Sequence, residues 1–300
     1  MSRFSKREYD SRVIAFNIMA YAFVLAAVIF CVFPIILIVS GSFTDNKELL
    51  ANGYALLPQQ FSLEAYQQLF RYPEDIIRAY ISTIFVTVTG TAAGLFFISM
   101  TGYVLQRKDF RYRNTISFLI YFTSIFGGGM VPWYIMLSRV LHLQNTIMAR
   151  IFPGLMTSFL IILMRTFIQN SVPNAIVESG KIDGAGDFTI YLKLVLPVIA
   201  PGLATVGLFL ALGYWNEWYV TSLFISKKEL YSLQYFLYDM VNSQKMAQEL
   251  AARGGVSVAD VPGESVKMAM VVVATGPIIF LYPFVQRYFV SGITIGAVKG

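Results

Sequence analysis

Five stretches of this chain run for 19 to 32 residues without one charged side chain. They cover residues 13–44, 79–106, 114–138, 194–216 and 268–286. A bilayer hydrocarbon core of about 30 Å is crossed by about 20 helical residues, so each run is long enough to span, or nearly so. A sixth candidate, 146–168, carries Arg150 and Arg165 near its ends. Long basic side chains there are expected to snorkel toward the two interfaces. The reading is therefore an all-α polytopic membrane protein with six transmembrane helices. Composition agrees: 13% of residues are charged and 56% are hydrophobic, whereas a soluble domain is about a quarter charged. Disordered, fibrous and disulfide-stapled classes are excluded. The runs are too long and too uniformly apolar for a barrel of short alternating strands. The lone Cys31 reads as a small residue within an apolar run.

Six spans put both termini on one side. If that side is the cytoplasm, it holds 13 basic and six acidic residues, and the outside holds 10 and 11, giving +7 inside and −1 outside. The short turn Arg107-Lys108-Asp109-Phe110-Arg111-Tyr112-Arg113 is the strongest orientation anchor. That role accounts for the net charge of +6 without nucleic acid. The basic start Arg3, Lys6, Arg7 resembles a signal-peptide n-region, but the apolar run after it is too long, so a retained helix is expected. The chain is expected to divide into 1–75 (cytoplasmic arm, first span, outer loop), 76–288 (the main transmembrane domain) and 289–300 (a cytoplasmic tail). The outer segment 45–78 is expected to form short helices and turns, and a helix is expected over 231–252.

Hydroxyls within spans usually bond their own backbone, and aromatics usually pack or meet lipid. Some could line a translocation path: Tyr80, Thr83, Tyr121, Ser124, Phe126, Asn216 and Glu217. Gly127-Gly128-Gly129 will not hold a continuous helix, and Pro34, Pro132, Pro153, Pro201, Pro277 and Pro283 suggest bends. His142 is the single histidine, no residue cluster has metal-ligand spacing, and no phosphate-binding P-loop occurs. The five full-length runs carry no acid for intramembrane catalysis. The chain is expected not to be an enzyme and to bind no metal or cofactor itself.

The inner loop 172–197 is the most informative segment. Pro173 can open a short helix, Gly184 and Gly186 break it, and Asp183 or Asp187 can cap the next. Phe188, Leu192, Val195 and Leu196 are expected on one side of that second helix, and Pro197 ends or bends it. An ordered helix-turn-helix outside the bilayer suits a docking surface for a soluble partner.

This segment resembles the EAA loop of the membrane subunits of binding-protein-dependent ABC importers. Glu178 holds the first place, Ser179 and Gly180 stand where the family has two alanines, and Asp183-Gly184-Ala185 and Leu196-Pro197 match the later parts. Gly102-Tyr103-Val104-Leu105-Gln106-Arg107, Trp215-Asn216-Glu217 and the ending from Tyr282 to Gly300 are similar to MalG-like sugar permeases, most fully to the LplC and YtcP type of Gram-positive bacteria.

The resemblance implies a type I (MetI-like) importer domain in the bacterial plasma membrane. It implies a carbohydrate substrate, a second MalF- or LplB-like permease, two copies of a sugar-type ATPase holding ATP and Mg, and an extracellular lipid-anchored solute-binding protein. The coupling residues it implies are Glu178, Ser179, Gly180, Asp183, Gly184, Ala185, Phe188, Leu196 and Pro197. An importer of a non-sugar solute and a secondary transporter stay open as alternatives.

Overall fold

The computed structural model describes residues 11–71, 73–254 and 263–279. Two compact units divide the chain at 71/72, 247/248 and 273/274. The elements in order are α1 (Ser11–Ser42), α2 (Asn46–Asn52), α3 (Glu64–Leu69), α4 (Pro73–Gln106), α5 (Arg113–Ile125) and α6 (Met130–Ile135). Then follow α7 (Ile147–Ile151), α8 (Ser158–Ser171), α9 (Asn174–Ile182), α10 (Asp187–Ile190), α11 (Leu196–Val198), α12 (Ala200–Trp215), α13 (Tyr219–Phe224) and α14 (Leu233–Gly254). Wider π turns extend α6 through Met136–Val140 and join α10 to α11 through Tyr191–Val195. A final helix covers 264–279. Among the described residues there is no strand, only an isolated bridge between Thr44 and Phe61.

In the first unit α1 is apolar all round, and none of the side chains in its most apolar 18-residue window is buried. Such a helix needs lipid or another chain around it. After it, the Asp45 carboxylate caps α2 by accepting from the amides of Lys47 (2.9 Å) and Glu48 (3.3 Å). The short helices α2 and α3 are what the outer segment was expected to form.

In the second unit α4 opens on Pro73 with Glu74 and Asp75 in its first turn, the arrangement that suits a helix N-terminus. It packs most extensively against α12 and α8. Val86, Ile98, Met164, Ile168, Ile199, Val206 and Leu210 form the buried seam. Gly90 and Gly154 let the helices close on the Tyr214 ring. A β-carbon at either would lie under 3 Å from that ring, whose hydroxyl donates to the Ile151 carbonyl at 2.8 Å.

Two helices, Val13–Ser42 and Pro73–Gln106, are long and apolar enough to cross a membrane by themselves. Three further pairs qualify only as bent units: Arg113–Ile125 with Met130–Val140 (113°), Ile147–Gly154 with Ser158–Ser171 (47°), and Asp187–Val198 with Ala200–Trp215 (85°). The glycine triplet is the first bend, with Gly129 at φ +85°. The candidate span 268–286 and the tail 289–300 extend outside the described residues.

Candidate coupling site

The loop folds as the helix-turn-helix that its sequence suggested. Helix α9 ends in a Schellman motif: the Ala185 amide donates to the Gly180 carbonyl (2.9 Å) and the Gly184 amide to the Lys181 carbonyl (3.0 Å). This closure puts Gly184 at φ +76°, a conformation that costs L-residues free energy and glycine almost none. No atom stands within 4 Å of where its β-carbon would be. Gly184 is thus required by backbone geometry, not by crowding.

Gly180 is required by crowding. It is buried, and a β-carbon there would lie 2.9 Å from Leu194 Cδ1 and 3.0 Å from Ile190 Cγ1. The small residue therefore marks where α9 crosses the second helix. Ile190, Tyr191 and Val195 are the wholly buried residues of that helix. Of the apolar side expected from sequence, Val195 is buried and Leu196 half-buried, while Phe188 and Leu192 are exposed. The π turn adds a residue to one turn and rotates the face. Tyr191 joins the loop to α4: its hydroxyl lies 2.7 Å from Ser99 Oγ, and its ring is 5.6 Å from that of Tyr103.

Neither aspartate caps α10, contrary to expectation. Its N-cap is Gly186, without a side-chain bond, and Asp187 reaches Arg107 at 2.5 Å instead. Arg107 also donates through Nε to Asp109 (2.9 Å), and Lys181 Nζ donates to Asp109 at 2.6 Å. Four charges from two loops thus form one chain, Asp187–Arg107–Asp109–Lys181. The hydrogen bond from Arg107, and after it that from Lys181, holds the Asp109 carboxyl well below the usual carboxylate range. The bond to Asp109 in turn raises Arg107 above its ordinary value. Beside this chain lies a cavity of about 380 Å³, lined by Met100, Tyr103, Arg107, Phe188 and Tyr191 among others. The sequence marks Arg107 and Asp109 as an orientation signal, and Arg107 also as the end of the permease-like segment 102–107, but it does not show their pairing with Asp187 and Lys181. Glu178, Ser179, Asp183 and Gly184 are all exposed on the turn. Beside them Ile182, 85% exposed, is a further apolar residue that the motif did not single out.

The candidate path residues are not gathered in one place. Tyr121 and Phe126 are exposed on and just after α5, where Phe126 stacks on Phe122 at 4.6 Å and Ser124 donates to the Tyr121 carbonyl. Tyr80 meets the Trp215 ring at 6.4 Å. Thr83, expected on a path, is wholly buried and accepts from the Leu233 amide at 2.8 Å, because the start of α14 needs an acceptor there. Asn216 donates to the Leu212 carbonyl of its own helix.

Glu217 is tied up by Arg150, which does not snorkel. The Arg150 side chain is wholly buried, donating through Nε to Glu217 (3.2 Å) and through Nη1 to Ser82 Oγ (2.6 Å) and the Leu230 carbonyl (3.1 Å). Glu217 also accepts from the Thr221 amide and hydroxyl at 2.9 and 2.7 Å. A charge buried among apolar helices persists only when paired in this way. Among the described residues no group of acids, histidines or cysteines could hold a metal ion.

Comparison with known proteins places this geometry. Residues 94–295 match the family model described as binding-protein-dependent transport system inner membrane component. The chain is 36% identical over 286 residues to the polygalacturonan/rhamnogalacturonan transport system permease protein YtcP of Bacillus subtilis, covering 95% of this chain and 98% of that one. It is 34% identical over 271 residues to protein LplC of the same organism, covering 90% of each. A solved bacterial ABC transporter involved in the import of the acidic polysaccharide alginate has a chain that superposes with TM-score 0.78 at 28% identity, over 96% of this chain and all of that one.

Proposed function

Because the chain belongs to the family of binding-protein-dependent transport system inner membrane components, we propose that it forms one half of the membrane pathway of an ATP-driven importer for oligosaccharides released from acidic polysaccharides. It is an all-α, multi-pass permease subunit of a carbohydrate import system and not itself a catalyst. In this reading it sits in the bacterial plasma membrane with six spans and both termini in the cytoplasm. It pairs there with a second, different permease. Two ATPase subunits carry ATP and Mg below, and an extracellular solute-binding protein delivers the sugar. YtcP is named for polygalacturonan and rhamnogalacturonan and the solved transporter for alginate. These names support an acidic oligosaccharide as the solute.

The observation that carries the mechanism is the turn at Gly184. Its Schellman closure holds Glu178, Asp183, Ile182 and Phe188 outward on a rigid pair of short helices. That surface suits a groove on an ATPase. The Ser99–Tyr191 contact and the Arg107–Asp187 pair bind the same element to the end of α4. ATPase closure would move the loop, and α4, α8 and α12, which share one core, would move with it and open the pathway outward. Hydrolysis would reset the state.

Reconstitution tests this. Proteoliposomes holding this chain, its partner permease, the ATPase and the binding protein should take up labelled oligogalacturonate only with ATP. Uptake driven by an ion gradient without ATP would establish a secondary transporter instead. ATP-driven uptake of a non-sugar solute alone would overturn the carbohydrate reading and leave the coupling mechanism standing.

A further inference from the structure

A second cavity, of about 570 Å³, lies where α4 and α8 end and α5 begins, and it is lined by Gln106, Lys108, Arg113, Arg165, Gln169 and Asn174 among others. Three of its lining residues are cations and none is a carboxylate. This sets it apart from the adjoining Arg107, whose charge is met by Asp109 and Asp187. Among the described residues, Lys108, Arg113 and Arg165 form no ion pair. Arg113 reaches only the Arg107 carbonyl, at 3.5 Å, and Arg165 Nε is buried without an acceptor.

The cavity is built by the fold. A β-carbon at Gly102 would lie 3.0 Å from the Arg165 amide nitrogen. The absence of a side chain there lets α4 and α8 touch, and this brings Gln106 and Lys108 beside Arg165 and Gln169. Its depth is set by the sequence as well. The uncharged run 79–106 ends at its rim and the run 114–138 begins there. A cluster of cations at the ends of apolar spans lies at the level of lipid headgroups.

We infer that this cavity is a binding site for the phosphate of an anionic phospholipid headgroup, with Lys108, Arg113 and Arg165 as the cationic ligands and Gln106, Gln169 and Asn174 as amide donors. A phosphodiester supplies the negative charge and acceptor oxygens that the three cations lack. At that depth the headgroup layer supplies phosphate at high local concentration, and basic pockets between spans on the cytoplasmic side take such groups. The site would fasten the inner ends of three helices to the leaflet beside the coupling loop. This goes beyond the transport reading, and lipid counting does not depend on which solute is carried.

The test uses the full chain in its purified assembly, stripped of lipid in detergent. It is titrated in turn with phosphatidylglycerol, phosphatidylcholine and inorganic phosphate, and bound molecules are counted by native mass spectrometry. Phosphatidylglycerol should be retained with a preference of about tenfold over phosphatidylcholine. Lys108→Gln and Arg165→Gln should each lower its occupancy about fivefold, and Arg165→Lys should restore much of it. Arg78→Gln, at the opposite end of α4, should bind like the wild type. Equal retention of the two lipids, or unchanged occupancy in both variants, would overturn the site. Displacement of lipid by an equal concentration of inorganic phosphate would assign the cavity to free phosphate. If the assembly takes up no phosphatidylglycerol at all, an acidic group of a partner subunit covers the cations and the inference fails. Should the variants not assemble, the wild-type titrations alone decide.

Discussion

Arg150 and Glu217, 67 residues apart in the chain, meet at 3.2 Å with almost no solvent on either side chain. Their neighbour Ser82 lies roughly 36 Å along α4 from Gln106, at 1.5 Å per residue. The pair therefore pins together the end of the second unit opposite the coupling loop.

Glu217→Gln should destabilise the subunit strongly, because it leaves a buried guanidinium without its counter-charge. Breaking one partner of such a pair costs about 3–5 kcal/mol. The expected result is a lower thermal midpoint and poor recovery of the assembled complex. The double variant Arg150→Met, Glu217→Leu should recover most of that loss. A single variant as stable as the wild type would show that the ion pair carries no structural role.

Gly184→Val should separate folding from coupling. The position is open but lies at φ +76°, where a β-branched residue is strained by about 1–3 kcal/mol. The strain should disturb the Schellman turn and leave the spans intact. Assembly and basal ATP hydrolysis should persist while solute-stimulated hydrolysis and uptake fall. Gly184→Asn, which tolerates this conformation better, should lie between the two. Stimulated hydrolysis unchanged in Gly184→Val would remove the turn from the coupling path.

Gly180 should behave differently, since the side chains of Ile190 and Leu194 stand where its β-carbon would be. Gly180→Leu should force α9 off the second helix at a cost of about 1–3 kcal/mol. The ATPase should then dissociate during purification. Gly180→Ala should show a smaller loss of the same kind, because its β-carbon would press on Leu194 Cδ1, a movable chain end, and on Cγ1 of the wholly buried Ile190.

The pH response of the loop follows from Asp109. Its carboxyl ionises below the usual range in the folded state. Its contribution is therefore complete above the ordinary value near 4 and is lost as pH falls below it toward the folded value. Hydrogen exchange of 178–190 should be indifferent to Asp109 between pH 8 and 5, apart from the intrinsic rate, and should show loosening below about pH 4. Asp109→Asn should abolish that acid step. The effect should be modest and weakened by salt, because Asp109 and Lys181 are 49% and 43% exposed.

How much of this was legible in advance depends on the range of the interaction. The break at 127–129 and the turn at Gly184 are local properties of a few consecutive residues, and the structure shows both. Contacts between residues far apart in sequence were not legible. Arg150 was expected at an interface because its partner Glu217 lies 67 residues away, in the link between α12 and α13. Nothing near Thr83 in sequence shows that it accepts from the Leu233 amide. Asp187 read as a cap because its competitor Arg107 lies 80 residues earlier, just after α4. A π turn leaves no mark in hydrophobic spacing, so the face of the second coupling helix was misassigned at Phe188 and Leu192.

The 113° bend between α5 and α6 has a cost for the cell. The amides of Gly127 and Gly128 donate to no described backbone carbonyl, and hydrocarbon offers them nothing. Residues 121–132 are all exposed in this chain alone. A copy synthesised in excess of whatever covers that corner leaves these two amides without a backbone partner. Such orphans invite proteolysis, so the abundance of this subunit should be set by its rarest companion and not by its own gene dosage.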